Sequence, residues 1–307
     1  MEKKKVKSRL HLIDEYRGFV VLNMIAYHAI WDMVYMFGEN WKWYKSELGF
    51  IWQQWICWSF ILVSGFCWQM GKNPFKRGMM VYAGGAIISL VTILAMPQSK
   101  VMFGILTFLG SAMVFMIPLD VFFRKFLFRS NPSILLSSER ENEVCHAGIT
   151  YPSAKVAEGK VSCCKIKASL GAIISFVLFL FTYRINRGYL GFDGHPVIVL
   201  PREWYANAFT TYLGFPELGF FSTDYFSIFP WMFLFLTGYF LYFIVLGNEN
   251  ADRMIELNKN RNYLKGCDRV LAISVCPPLG WIGRNALIIY MFHQPVIYGV
   301  LCVLYEI

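Results

Sequence analysis

A chain of 307 residues that is 56% hydrophobic and only 16% charged, with a mean hydropathy of +0.44, departs from soluble domains, which are nearer half apolar and a quarter charged. The apolar residues fall in runs of about 20, the length a helix needs to cross a hydrocarbon core of roughly 30 Å, so the chain reads as a polytopic membrane protein. The net charge of +9 could suit nucleic acid, but Lys and Arg collect between the apolar runs, where orientation signals sit, which argues against that partner.

The chain opens with MEKKKVKSR, a basic front followed by an apolar run too long for a secretory signal and without a small-residue cleavage site. This run is read as a retained anchor. Spans are predicted at 17–37, 50–71, 78–96, 101–123, 168–184, 225–246 and 284–304, an all-α bundle of about seven helices. Basic segments then alternate in side: Lys3 to Arg9, the turn with Lys72, Lys76 and Arg77, the stretch from Arg124 to Lys167, and Arg253 to Arg269 all fall together. By the positive-inside rule that side is cytoplasmic, with the amino terminus on it and the carboxyl terminus outside.

A polar loop is expected at about 129–167 and an outer segment at about 185–224, within one membrane-embedded domain spanning 1–307 in the cell membrane. Pro201 and Pro216 interrupt the apolar pieces of 197–221, which are read as interfacial or re-entrant; two crossings there would raise the count to nine. The eight cysteines are read as free thiols, since they sit in spans or on the reducing side. Cys145, His146, Cys163 and Cys164 lack the two-residue ligand spacing of a zinc site, so no metal is expected.

The first span carries the densest polar information. At 100° per residue, the eleven steps from Arg17 to His28 make three turns plus about 20°, placing both on one face about 16 Å apart along the axis. Asp14 lies one turn before Arg17 and Asp32 one turn after His28, on the same stripe. Taken singly, Arg17 suits a snorkelling anchor and His28 an interhelical hydrogen bond. An aligned set of ionisable groups points instead to a pathway or reaction centre.

His293, nine residues beyond Arg284, sits at comparable depth in the last span, as a polar clamp beside Pro295 or a functional residue. Asp224, at the front of the sixth span, suits either a helix cap or a site residue. SFILVSGF at 59–66 permits close helix approach or an opening for a ligand, and His195 in FDGHP is read as a solvated loop histidine.

The runs RLHLIDEYRGFVVLNMIAYHAIWDM, FILVSGFCWQMG, FGILTFLGSAMVF, STDYFSIFPWMFLFLTGY and LGWIGRNALIIYMFHQPVIYGVL resemble, in order, the bacterial family related to the catalytic domain of heparan-α-glucosaminide N-acetyltransferase. The Arg17 to His28 spacing with the SGF piece is also similar to the signature of transmembrane acyltransferases that modify cell-surface glycans. The resemblance implies an acyltransferase that moves an acyl group, acetyl by analogy, from cytoplasmic acetyl-CoA to a hydroxyl or amine of an extracytoplasmic glycan. The heparan enzyme places an essential histidine in the outer loop after the first span, whereas GENWKWYKSELG here has none. That departure separates general acyl transfer from heparan chemistry and assigns the reacting role to His28.

On this reading His28 is base or covalent acyl carrier, Asp32 orients its imidazole, and His293 and Asp224 complete the catalytic set. Arg17, Lys72, Lys76 and Arg77 meet the phosphates of the acyl donor. The expected partners are acyl-CoA, the glycan acceptor, the bilayer and a second copy of the chain. The competing class is a proton-coupled transporter or flippase working through the same mid-membrane His and Asp residues.

Overall fold

Seven long helices account for the predicted runs in the computed structural model, which describes residues 10–128, 154–192, 194–246 and 270–306. They are α1 (His11–Tyr35), α2 (Glu47–Trp68), α3 (Pro74–Ala95), α4 (Ile105–Phe128), α5 (Ala154–Thr182), α7 (Ile228–Val245) and α9 (Ala286–Leu304). Two short helices, α6 (Ala208–Leu213) and α8 (Pro277–Arg284), complete the α-helices among the described residues. Six of the long helices are apolar enough to cross a membrane; α1 has the length, with 25 residues, but its polar stripe lowers its hydropathy.

Several boundaries differ from those expected of the sequence, each for a local reason. The first helix starts at His11, because Asp14 and Glu15 favour a helix amino terminus. Residues 154–167, expected in a loop, are the first turns of α5, consistent with their Ala, Lys and Glu content. The remainder of that loop, 129–153, lies outside the described residues, as do the side chains of Cys145, His146, Cys163 and Cys164. The last span, α9, runs unbroken from Ala286, and a separate short helix not expected of the sequence, α8, opened by Pro277 and Pro278, precedes it across the break at Asn285.

The connection between α5 and α7 contains no further crossing among its described residues. It holds an antiparallel hairpin of β1 (Tyr189–Phe192) and β2 (His195–Val199), with Tyr189 opposite Val199, and the six-residue α6 capped by Asn207 and Thr210. The 3–4 loop and the segment before α7 zip together: the Phe226 amide donates to the Phe103 carbonyl at 2.8 Å, and the Met102 amide to Ser222 Oγ at 2.9 Å.

The centre belongs to α7, apolar on every side, with Leu234, Phe235 and Tyr239 fully buried. Helices α2 and α5 flank it, α3 pairs with α4, and α1 packs on α8 and α9. Lipid gives helices no hydrophobic reason to associate, so close backbone packing and hydrogen bonds must do it. At the α2–α7 crossing a Cβ on Gly65 would stand 2.1 Å from the Phe235 carbonyl oxygen, and one on Gly238 2.2 Å from that of Leu62. The SGF piece therefore serves helix approach. The α1–α8 crossing repeats the device, with Gly18 against Leu279 and Gly283 against Asp14, at 2.0 and 1.8 Å.

A polar network locks the nearby ends of α2, α4 and α7. Asp120 accepts from Tyr239 Oη at 2.7 Å, from Gln69 Nε2 at 2.6 Å and from Arg124 Nε at 2.9 Å, while Arg124 also donates to Gln69 Oε1. Overpacking a close contact costs about 1–3 kcal/mol. Gly65→Ala should therefore lower the thermal midpoint of detergent-purified protein by several degrees. Gly299→Ala, where an added Cβ meets nothing within 4 Å, should leave it unchanged or raise it, as differential scanning fluorimetry would read.

Candidate functional site

The stripe on α1 meets a different partner at each level. At its start, Arg17 Nη2 donates to Cys67 Sγ of α2 at 2.9 Å, and Nη1 lies 3.7 Å from Asp14 Oδ1 in a partly exposed pair. Arg77, from the first turn of α3, folds back onto the end of α2, its Nη1 3.5 Å from the Trp68 carbonyl. Its charge reaches both Cys67 and Arg17. Two guanidiniums thus gather at the end of α2, Arg17 on the Cys67 thiol and Arg77 on the Trp68 carbonyl, with Asp14 as the carboxylate beside Arg17. Lys72 and Lys76 stay exposed on the neighbouring turn and do not join them.

About two-thirds of the way along α1, His28 meets His293 of α9. The ring centroids are 4.9 Å apart at an interplanar angle of 61°. His293 Nδ1 lies 2.5 Å from the Tyr290 carbonyl oxygen. A carbonyl only accepts, so Nδ1 carries the hydrogen and the neutral imidazole presents a lone pair at Nε2. That Nε2 is buried and has no hydrogen-bond partner among the described residues. The Tyr290 ring packs 5.2 Å from His293, and Tyr27 meets the edge of His28 at 6.0 Å.

One turn further on, Asp32 is fully buried, and its bond differs from the expected one. Its Oδ1 accepts from Gln294 Nε2 at 2.7 Å, rather than orienting His28 directly. The stripe faces α9, where the residue after His293 offers an amide, and a buried carboxylate takes the donor it can reach. The bond fixes α1 against α9 at the level of the histidine pair.

Asp224 is a cap, but of another helix. Its Oδ2 accepts from the Ile105 amide at 3.1 Å, at the first turn of α4, while Ser227 occupies the N-cap position of α7. Burial pushes the Asp224 carboxyl up to about 6, partly offset by the Ile105 bond. Its charge is also felt at Cys57 of α2 and at Tyr290 of α9. His195 is exposed on β2, away from this cluster.

Cys57, Cys67 and Tyr290 carry no usable signal in the sequence, being ordinary in apolar helices. Gln294 stands out only as an amide beside His293.

These features define a polytopic helical membrane protein whose first and last long helices bring two histidines together inside the bundle, with a cationic pair at the start of the first. The family described as heparan-alpha-glucosaminide N-acetyltransferase, catalytic, matches residues 9–138 and 165–295, and the chain belongs to it. It is thereby a member of a membrane acyltransferase-like family. No curated protein and no solved structure matches the chain.

Two stability tests follow from the buried carboxylates. Leaving a buried polar group without its partner costs about 1–3 kcal/mol, so Gln294→Leu should lower the thermal midpoint, whereas Asp32→Asn, which keeps an oxygen for Gln294, should lower it less. For Asp224 the folded carboxyl holds its proton more tightly than the unfolded chain does. Its contribution to stability is therefore complete below about pH 4 and is lost as pH rises through about 6. Asp224→Asn keeps an oxygen acceptor for Ile105 and should shrink the change in thermal midpoint between about pH 5 and pH 7.5.

Proposed function

We propose that this protein is a multi-pass cell-membrane acyltransferase that passes an acyl group, acetyl in the simplest case, from cytoplasmic acyl-CoA to a hydroxyl or amine of a cell-envelope glycan. The observation that carries the reading is the His28–His293 contact inside the bundle, on the same stripe of α1 that ends at Arg17. Family membership supports acyl transfer in general. Donor and acceptor are those the resemblance implies, and the direction follows from the placement of the basic segments.

Arg17 and Arg77 receive the donor. A guanidinium offers paired N–H donors that match phosphate oxygens, and two of them side by side favour a polyanion. Lys72 and Lys76, exposed beside them, add positive field at the mouth. The orientation follows the positive-inside rule, which puts this end of α1 in the cytoplasm.

The histidine pair carries the proton traffic. As the acceptor oxygen or nitrogen attacks the thioester carbonyl, an imidazole lone pair takes its proton; the C–S bond then breaks, and the leaving thiolate takes a proton from the imidazolium. His293 suits the base role because the Tyr290 carbonyl holds its Nδ1–H and aims Nε2 inward. His28, in ring contact with it and on the donor stripe, faces the reacting carbon and serves as the second base or transient acyl acceptor. Asp32 is a positioning residue that acts through Gln294, and Asp224 holds the first turn of α4 in place.

Radiolabelled acetyl-CoA with purified protein tests this directly. His28→Ala and His293→Ala should each lower kcat by about 10²-fold or more while leaving acetyl-CoA affinity in place. Arg17→Ala should weaken acetyl-CoA binding by roughly 10-fold or more, the scale of one charged hydrogen bond. Folded wild-type protein that neither binds acetyl-CoA nor turns it over with any of a panel of glycan acceptors would sink the reading.

A further inference from the structure

The loop joining α1 to α2 carries Trp41, Trp43 and Tyr44, and its rings do not stand apart. Tyr27, in edge contact with His28, packs against Trp52 at 5.4 Å and Tyr44 at 5.0 Å; Trp52 continues to Trp43 at 6.2 Å, and Tyr44 to Tyr35 at 6.4 Å. One unbroken run of aromatic contacts thus leads from the histidine pair to the end of the bundle opposite Arg17. It finishes in two open rings, Trp43 at 45% exposure and Tyr35 at 57%.

Interfacial aromatics are common in membrane proteins, where an amphipathic ring turns its polar edge to the headgroups. Two rings of this run, Trp52 and Tyr44, instead turn their polar edges inward. Trp52 Nε1 donates to Asn23 Oδ1 at 3.1 Å, and Tyr44 Oη to the Tyr27 carbonyl at 3.2 Å, so both rings are held by α1. The rim around the open rings is charged in both signs: Lys42, Lys45 and Glu47 are exposed, and Lys45 Nζ stands 5.8 Å from the Tyr35 ring centroid. A flat ring face with hydrogen-bonding groups at its edge complements a pyranose, which has an apolar C–H face and a hydroxyl perimeter. A lipid chain has no use for that rim.

We propose that the aromatic tier of Tyr27, Trp52, Trp43, Tyr44 and Tyr35 is the acceptor subsite, and that a pyranose ring of the glycan stacks on the open face of Trp43. This rests on the acyl-transfer reading above and adds the residues that recognise the acceptor. Trp43 and Tyr35 contact the saccharide, and Tyr27 connects that surface to His28. The rim, with two lysines against one glutamate, carries a net charge of only about +1, which suits a neutral or singly charged sugar better than a polyanion.

The test compares Trp43→Ala and Tyr35→Ala with Trp55→Ala in the full chain in nanodiscs. Trp55 is 37% exposed and packs on Phe19, outside the tier, so it controls for a generic membrane-facing indole. The probes are an N-acetylglucosamine tetrasaccharide and maltotetraose, with saccharide Kd and acetyl-CoA Kd measured separately by calorimetry and thermal midpoints checked throughout. Trp43→Ala and Tyr35→Ala should weaken binding of at least one saccharide roughly tenfold, equivalent to about 1.4 kcal/mol, with acetyl-CoA affinity unchanged and Trp55→Ala neutral.

Wild-type saccharide affinity in folded Trp43→Ala, or an equal loss in Trp55→Ala, would overturn the subsite. Wild-type protein that turns over acetyl-CoA but binds neither saccharide would overturn it too, while leaving acyl transfer standing. Saccharide binding that depends on Trp43, in protein inert toward acetyl-CoA, would keep the subsite and remove the acyl-transfer reading.

Discussion

A carboxylate buried among apolar helices must find a hydrogen-bond donor, and in this bundle that requirement fixes how the first helix meets the last two. Glu15, near the start of α1, accepts from Ser274 Oγ at 2.6 Å and from the Val275 amide at about the same level, where the chain enters α8. Asp32, more than four turns later, accepts from Gln294 of α9. Between these two points Gly18 and Gly283 let the backbones of α1 and α8 touch. With both ends pinned and the middle closed, α1 has one register against α8 and α9, and in that register His28 and His293 meet.

The same constraint separates the site into levels along one helix. Arg17 stands where the stripe begins, supported from α2 and joined by Arg77. The histidines occupy the middle, and the aromatic run from Tyr27 to Trp43 occupies the far end. In the proposed function, the donor contact, the proton-transfer pair and the ring-stacking surface follow one another in that order along the helix. The central α7 contributes no group to this line. It supplies a rigid apolar wall against which α2 and α5 pack, and Tyr239 ties it to Asp120 of α4.

Much of this is legible in the amino-acid sequence. The seven runs, the stripe of Arg17, His28 and Asp32, and the depth of His293 all follow from local periodicity, because a helix in lipid satisfies its own backbone and its faces are set by the 3.6-residue repeat. Contacts between distant segments are less visible. Asp224 has the position of a cap for its own helix, yet α4 takes its oxygen, since the two loops zip together more than a hundred residues apart in sequence. Lys72, Lys76 and Arg77 are equivalent as a basic cluster, but Arg77 alone of the three folds back from the first turn of α3 onto the end of α2, at the Trp68 carbonyl.

What the sequence alone determined is the membrane-spanning helical class, the number of long helices, and which ionisable residues share a face. These depend on composition and on spacing within single helices. Only the tertiary structure decided what each face meets: Gln294 for Asp32, His293 for His28, Cys67 for Arg17, and the break at Asn285 that lets α8 and α9 both pack on α1. The physical reason is that helix association in an apolar medium is selected by glycine contacts and a few buried hydrogen bonds, and their two halves lie in separate helices, up to about 260 residues apart for Asp32 and Gln294.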